Sequence, residues 1–202
     1  MTWYPLFVHS DNLNCLVVGG GRIALHKLRV LEPGHFRLIV VAPEVLPEIE
    51  GLPAELRRRR VEEQDLDGMQ MVIDATGDPE VGAWLAECCA RRGLLLNVVD
   101  CPVFCNFIFP AVLWRGKFVA AISSSGASPT AAAWARDQLD AALPEQFEAI
   151  LDQLEGLRPE TRNRLPEQSR RSRFLKRCFT CAIERERPLT QDELDSLWAE
   201  EL

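Results

Sequence analysis

The sequence predicts an α/β fold: a parallel sheet covered by helices on both faces, followed by a small α+β segment and a helical C-terminal region. Three observations carry this prediction. Apolar runs of strand length alternate with helix-period segments through the first half of the chain. After Pro110 the pattern changes to two short runs around a glycine, and from Glu145 onward only helical periodicity is left.

The elements follow in order. "NCLVVGGG" is a strand running into a glycine turn, after which Ala24, Leu28 and Leu31 recur at i, i+4 and i+7 as one apolar helix face. Pro33 in "LEPGHFRL" stops that helix early, because the residue before a proline is pushed out of the helical region. "FRLIVVAP" is the second strand, ended by Pro43. "MQMVIDAT" is the next, followed by Asp78 as N-cap, Pro79 at the first helical position and a helix through Cys89. "GLLLNVVD" is a further strand that ends on Asp100. Strands that are apolar without alternation belong in a sheet buried on both faces, so the arrangement is a Rossmann-like parallel sheet. "AVLWRGKFVAAIS" then predicts an antiparallel hairpin turning at Gly116, and Ser128-Pro129 caps and opens a helix through Leu143. The remaining helices are expected to break at Pro159, Pro166 and Pro188.

Composition narrows the class without naming a function. The 202 residues suffice for one full domain and a smaller one, and 47% apolar with 26% charged residues is ordinary for a soluble globular protein. No apolar run nears the roughly 20 residues needed to cross a bilayer, and the start lacks the pattern of a secretory signal, so a cytoplasmic protein off the membrane is expected. The seven cysteines are an odd number without dense spacing, consistent with free thiols in a reducing compartment. A net charge of −7 disfavours general nucleic-acid binding. The segment from Arg158 to Arg187 nevertheless holds ten Arg/Lys against four Glu, which suggests an anionic ligand or partner.

The strongest local signal is "VVGGGRIA". Gly19, Gly21 and Ala24 fit G-x-G-x-x-A directly after a strand and directly before a helix, the context that makes this pattern a dinucleotide site. Gly19 permits the tight turn, Gly21 lets a pyrophosphate approach the backbone, and Ala24 allows close helix-to-strand packing, while the helix N-terminus offers amide donors. Glu44, just after Pro43, is the candidate reader of the adenine ribose, and with no Arg beside it NAD is favoured over NADP. Thr76, Gly77 and Asp78 lie on the carboxyl edge, either against the ligand or as turn and helix cap. Asp100 lies there too, as a half-desolvated general acid/base or as a turn residue capping the backbone after it. Cys101/Cys105 and Cys178/Cys181 lack the second pair a structural zinc would need, and His9, His26 and His35 are scattered. Tyr4 is the only tyrosine, which excludes a Tyr-x-x-x-Lys pair, and no G-x-S-x-G is present.

Together, "CLVVGGGRIALHKLRVL", "VVAP", "IDATGDPEV", "NVVDCPVFCNFIFPAV" and "AISSSGASPTAA" resemble the precorrin-2 dehydrogenase / sirohydrochlorin ferrochelatase family, including the N-terminal half of siroheme synthase. The similarity covers most of residues 1 to 145. It implies a homodimer with an NAD-binding domain over 1–112, a dimerisation segment over 113–145 and a helical domain over 146–202. It implies oxidation of precorrin-2 to sirohydrochlorin with NAD⁺ and, in many members, insertion of Fe²⁺ (or Co²⁺), without the methyltransferase half of the fused synthase. The family's aspartate falls on Asp100, as catalytic base and transient metal guide, with Asn97 in the same N-V-V-D stretch on the substrate. Its cofactor contacts fall on Arg22, Ile23, Pro43 and Glu44, beside the candidates Gly19, Gly20, Gly21, Thr76, Gly77 and Asp78 that the turns themselves offer. The substrate-side serines fall on Ser124 and Ser128, and the macrocycle's carboxylates offer a partner for the basic run that holds Arg170, Arg171, Arg173, Lys176 and Arg177. "SSSGAS" departs from a glycine-richer loop and is expected to alter its conformation. Two other readings stay open: a dinucleotide-sensing module without turnover, and a dehydrogenase for a different substrate.

Overall fold

The apolar runs of the first half fold as parallel strands in the computed structural model, which describes residues 2–201. β1 (Asn14–Val18), β2 (Arg37–Val41), β3 (Ala54–Arg57), β4 (Met71–Asp74) and β5 (Leu95–Val98) form one sheet in the order β3-β2-β1-β4-β5. β1 is central, with Val18 opposite Val41 on one side and Asp74 on the other. Its burial on both faces is why the sequence there is continuously apolar. β3 is the strand that pattern reading passes over. "AELR" is a half-exposed edge strand without an apolar run, recruited by pairing with β2.

α1 (Arg22–Leu31) buries Ala24, Leu25, Leu28 and Leu31, then gives way to a 3-10 turn, Glu32–Gly34, that contains Pro33. α2 (Pro47–Glu50) is a single turn. α3 (Pro79–Arg92) opens on Asp78, whose carboxylate accepts from the Glu80 amide at 2.9 Å. It runs three residues past the expected end at Cys89, to Arg92, and is stopped by Gly93, whose φ of 66° is the left-handed conformation that ends a helix. Leu16, Ile39, Val72, Leu85, Cys88 and Leu96 form the centre of this core.

The chain divides into two compact units, one up to Ile108 and one from Phe109 onward. The second opens with the antiparallel pair β6 (Ala111–Arg115) and β7 (Phe118–Ile122), as the hairpin pattern predicts, followed by α4 (Pro129–Ala142). α5 (Phe147–Arg164), α6 (Gln168–Glu184) and α7 (Gln191–Glu201) complete it around Ile150, Leu157, Phe174, Cys178 and Trp198. Pro166 and Pro188 lie between helices, but Pro159 does not end one: it sits inside α5. Ile150, Leu157, Thr161 and Leu165 carry the buried face past it, and that packing outweighs the backbone hydrogen bond a proline forfeits.

Candidate functional site

Parallel strands place all their carboxyl ends on one edge, and the strand order reverses between β1 and β4, where doubly wound sheets bind their ligands. The glycine turn after β1 occupies that point. Gly19 has a φ of 116°, and a Cβ on it would lie 2.7 Å from the Ala75 carbonyl oxygen at the end of β4. A Cβ on Gly20 would lie 2.0 Å from the Glu44 carbonyl oxygen after β2. The Leu46 amide donates to the Gly20 carbonyl at 2.9 Å, so the turn is clamped between two strand ends. Gly21 is different. A Cβ there would meet nothing within 4 Å, so the outer face of the turn is open to an approaching group.

α1 starts from Gly21 with no side-chain cap and no acidic residue in its first turn. Its first amides, at Arg22 and Ile23, and the positive end of its dipole are therefore available to an anion. An open glycine face beside an uncapped helix N-terminus fits a dinucleotide pyrophosphate. Pro43 and Glu44 are exposed, and the main-chain contact of Glu44 with Gly20 brings this candidate ribose reader to the same crevice.

Across the crevice, Thr76 and Asp78 act within their own loop. The carboxylate of Asp74, buried at the end of β4, accepts from the Thr76 amide at 3.0 Å and the Thr76 hydroxyl at 2.7 Å. The Thr76 hydroxyl accepts in turn from the Asp78 amide at 3.1 Å, and Asp78 caps α3. Gly77, at a φ of 71°, leaves open space where a side chain would be. Asp74 was not singled out from sequence, because inside an apolar strand it carries no motif.

Asp100 does not end β5 as the pattern predicts. The strand stops at Val98, and Asp100 follows in a turn with a φ of 60°, its side chain exposed rather than half-desolvated. Lys27, half-buried on α1, was missed by sequence reading. Burial lowers its ammonium pKa, and the negative charge of Asp100 partly offsets that. The Cys105 thiol fastens the turn, accepting from the Val98 amide at 3.2 Å and lying 3.3 Å from the Val98 carbonyl and 3.4 Å from that of Cys101. Burial raises its pKa. Asn97 departs from its expected place on the substrate: it is buried, and its amide donates to the Phe107 carbonyl at 3.1 Å. Asn106 covers the outer edge of β5 by accepting from the Leu96 amide at 2.6 Å and donating to the Leu94 carbonyl at 2.8 Å.

In the second unit, the Ser124 hydroxyl accepts from the Ser128 amide at 2.8 Å and donates to its carbonyl at 2.9 Å, closing a loop in which Ser125 and Gly126 take positive φ. The Ser128 hydroxyl caps α4 by accepting from the Ala131 amide at 3.1 Å. The basic run is less available than its sequence suggests. Arg173 pairs with Glu201 at 2.9 Å, and Arg171 donates to the Leu165 and Pro166 carbonyls at 2.8 and 2.5 Å. Among the described residues, no group of three or more His, Cys, Asp and Glu side chains forms a metal centre, and no helix is long and apolar enough to cross a membrane.

The strand order, the clamped glycine turn and the open helix N-terminus define a dinucleotide-binding protein of the Rossmann class. Residues 6–111 match the model of a family described as NAD(P)-binding, and the chain belongs to that family. It is also similar to siroheme synthases: 35% identical over 181 residues to that of Thioalkalivibrio sulfidiphilus (strain HL-EbGR7) and 36% over 182 to that of Methylococcus capsulatus (strain ATCC 33009 / NCIMB 11132 / Bath). These matches cover 88% of this chain but only 37% and 38% of the relatives, so the chain spans well under half their length. Among solved structures, "SirC, precorrin-2 dehydrogenase" has the same fold, with a TM-score of 0.76, 24% identity and 98% of both chains covered. The resemblance drawn from the sequence is upheld by these comparisons.

Proposed function

We propose that the protein oxidises precorrin-2 to sirohydrochlorin with NAD⁺ as hydride acceptor. The observation that carries this reading is the placement of the glycine cradle and Asp100 on one carboxyl edge of one sheet. Gly19 and Gly20 hold the turn, Gly21 admits the pyrophosphate, and the Arg22 and Ile23 amides receive its charge. NAD⁺ held in this cradle would supply the hydride acceptor. The oxidation also releases one proton from the macrocycle, and Asp100 is the carboxylate positioned to take it. An exposed Asp100 becomes a desolvated base only when the flat macrocycle covers it. Asn97, Cys105 and Asn106 keep its turn in place, and Lys27 supplies a neighbouring positive charge.

NAD is favoured over NADP by the state of the arginines that follow β2's neighbour strand. Arg57 and Arg59 are engaged by Asp65 at 2.8 and 2.6 Å, and Arg58 by Glu50 at 2.5 Å, which leaves none of these three for a 2′-phosphate. Chelation of Fe²⁺ or Co²⁺ is the second activity we assign. As the ion enters the ring, two pyrrole N–H protons leave, and Asp100 can accept them and guide the ion in turn. Ser124 and Ser128 are proposed as substrate contacts, and of the basic run Arg171, which faces no carboxylate among the described residues, is a better candidate for the macrocycle's carboxylates than Arg173, which is paired with Glu201. A homodimer through the hairpin and α4 is supported by the exposure of Trp114 (48%) and Trp134 (64%). Seven free thiols suit the cytoplasm.

The test is Asp100→Asn, because Asn tolerates the left-handed backbone that Ala would strain. Wild type mixed with precorrin-2 and NAD⁺ should form sirohydrochlorin, and the variant should bind NAD⁺ equally but oxidise about 10²- to 10⁴-fold more slowly. Dinucleotide binding by wild type without sirohydrochlorin formation would instead favour the sensing module. Adding Fe²⁺ or Co²⁺ to the product mixture then reads chelation separately.

A further inference from the structure

The nine arginines from Arg158 to Arg187 fall into two sets. Six face a carboxylate: Arg164 pairs with Glu160, Arg170 and Arg173 with Glu201, Arg177 with Glu200, and Arg185 and Arg187 with Glu193. The other three, Arg158, Arg162 and Arg171, face none among the described residues, and all three line a single groove between α5 and α6. Its volume is about 240 Å³, and Thr161, Gln168 and Ser172 complete its polar wall without any acidic side chain. The neighbouring groove along α6 differs, since Glu184 lines it and two of its cations, Arg173 and Arg177, are already paired.

Helical spacing explains the convergence. Arg158 and Arg162 are i, i+4 neighbours in the last turns of α5, and Gln168, Arg171 and Ser172 are i, i+3, i+4 neighbours at the start of α6. Arg171 is held in place by its two hydrogen bonds to the Leu165 and Pro166 carbonyls. The N-cap residue of α6, Glu167, makes no side-chain cap, so the first amides of a 17-residue helix add their partial positive charge. Three guanidiniums therefore line one groove whose wall contains no acidic side chain, on a protein of net charge −7.

We infer that the α5–α6 groove is a binding site for a small polyvalent oxyanion, carrying carboxylate or phosphate oxygens that accept forked donors from Arg158 and Arg162. This inference stands whether or not the chain oxidises precorrin-2. Two sources share the chemistry: the carboxylate arms of the tetrapyrrole, and a free anion such as phosphate.

Calorimetric titration of the full chain with citrate, and separately with inorganic phosphate, tests it. Wild type should bind at least one of them, more weakly as salt is added, and R158Q/R162Q should bind at least about tenfold more weakly at an unchanged melting temperature. R158K/R162K should bind at an intermediate strength, because it keeps the charge and loses the fork. Binding of neither probe by wild type, or equal binding by wild type and the glutamine variant, would overturn the site. The source is read by kinetics on precorrin-2: a raised KM at constant kcat in R158Q/R162Q assigns the groove to the macrocycle's carboxylates, and loss of citrate or phosphate binding at an unchanged KM assigns it to a free anion.

Discussion

At the scale of single residues, the three consecutive glycines do three different jobs. The G-x-G-x-x-A pattern predicts tight turning at Gly19 and ligand approach at Gly21, and a Cβ on Gly21 would meet open space. The role of Gly20 was not legible, because the Glu44 carbonyl that fills its side-chain position belongs to a strand end 24 residues away. A pair of variants separates these roles. Gly20→Ala drives a Cβ into backbone, and should lower stability by about 1–3 kcal/mol as overpacking does. Gly21→Ala meets nothing within 4 Å, and should leave stability within about 0.5 kcal/mol while weakening NAD⁺ binding. Urea unfolding and an NAD⁺ titration on each variant check both outcomes. Asp100 was legible as a carboxylate near the edge, but its left-handed backbone and its exposure were not, since a turn two residues past a strand leaves no periodic trace.

Among elements, edge strand β3, paired with β2, is also tied to the turn that follows it by one buried carboxylate. Asp65, in the 3-10 turn Glu63–Leu66, receives Arg57 from the end of β3 and Arg59 just beyond it, together with the Glu62 amide at 2.9 Å. Burial by itself would raise the Asp65 pKa, but these donors outweigh it and hold the group at about 2, against an ordinary 3.8. A depressed carboxyl pKa contributes stability that is complete above the unfolded value and is lost as pH falls through the folded one. The pair should therefore contribute about 2 kcal/mol at neutral pH, disappearing between about pH 4 and pH 2. Asp65→Asn should cost that amount in urea unfolding at pH 7, and the gap to wild type should close as pH approaches 2. Two members of the "RRRR" run at 57–60 are taken up by a buried aspartate, a pairing that only the fold shows.

For the whole molecule, two separate cores mean that damage to one should be readable apart from the other. Trp198 is 4% exposed, stacks on Phe174 at 3.9 Å and carries the Arg164 guanidinium 4.8 Å from its ring centre. Trp198→Ala should cost about 3–5 kcal/mol in the helical core. Hydrogen exchange should accelerate across residues 147–201 while the amides of β1 and β4 stay protected and NAD⁺ affinity is unchanged. The sequence by itself determined the parallel sheet of apolar strands, the hairpin at Gly116, the glycine cradle, the helix starts at Asp78 and Ser128, and Asp100 as the carboxylate to watch. Those features rest on periodicity and turn chemistry, which act over a few neighbouring residues. Only the tertiary structure decided that β3 is a strand, that α5 runs through Pro159, that Asp74 holds the Thr76 loop, and that six arginines face carboxylates while three share one groove. Those outcomes depend on residues distant in the chain, such as Arg170 with Glu201 or the glycine turn with the Glu44 main chain, whose meeting no local spacing encodes.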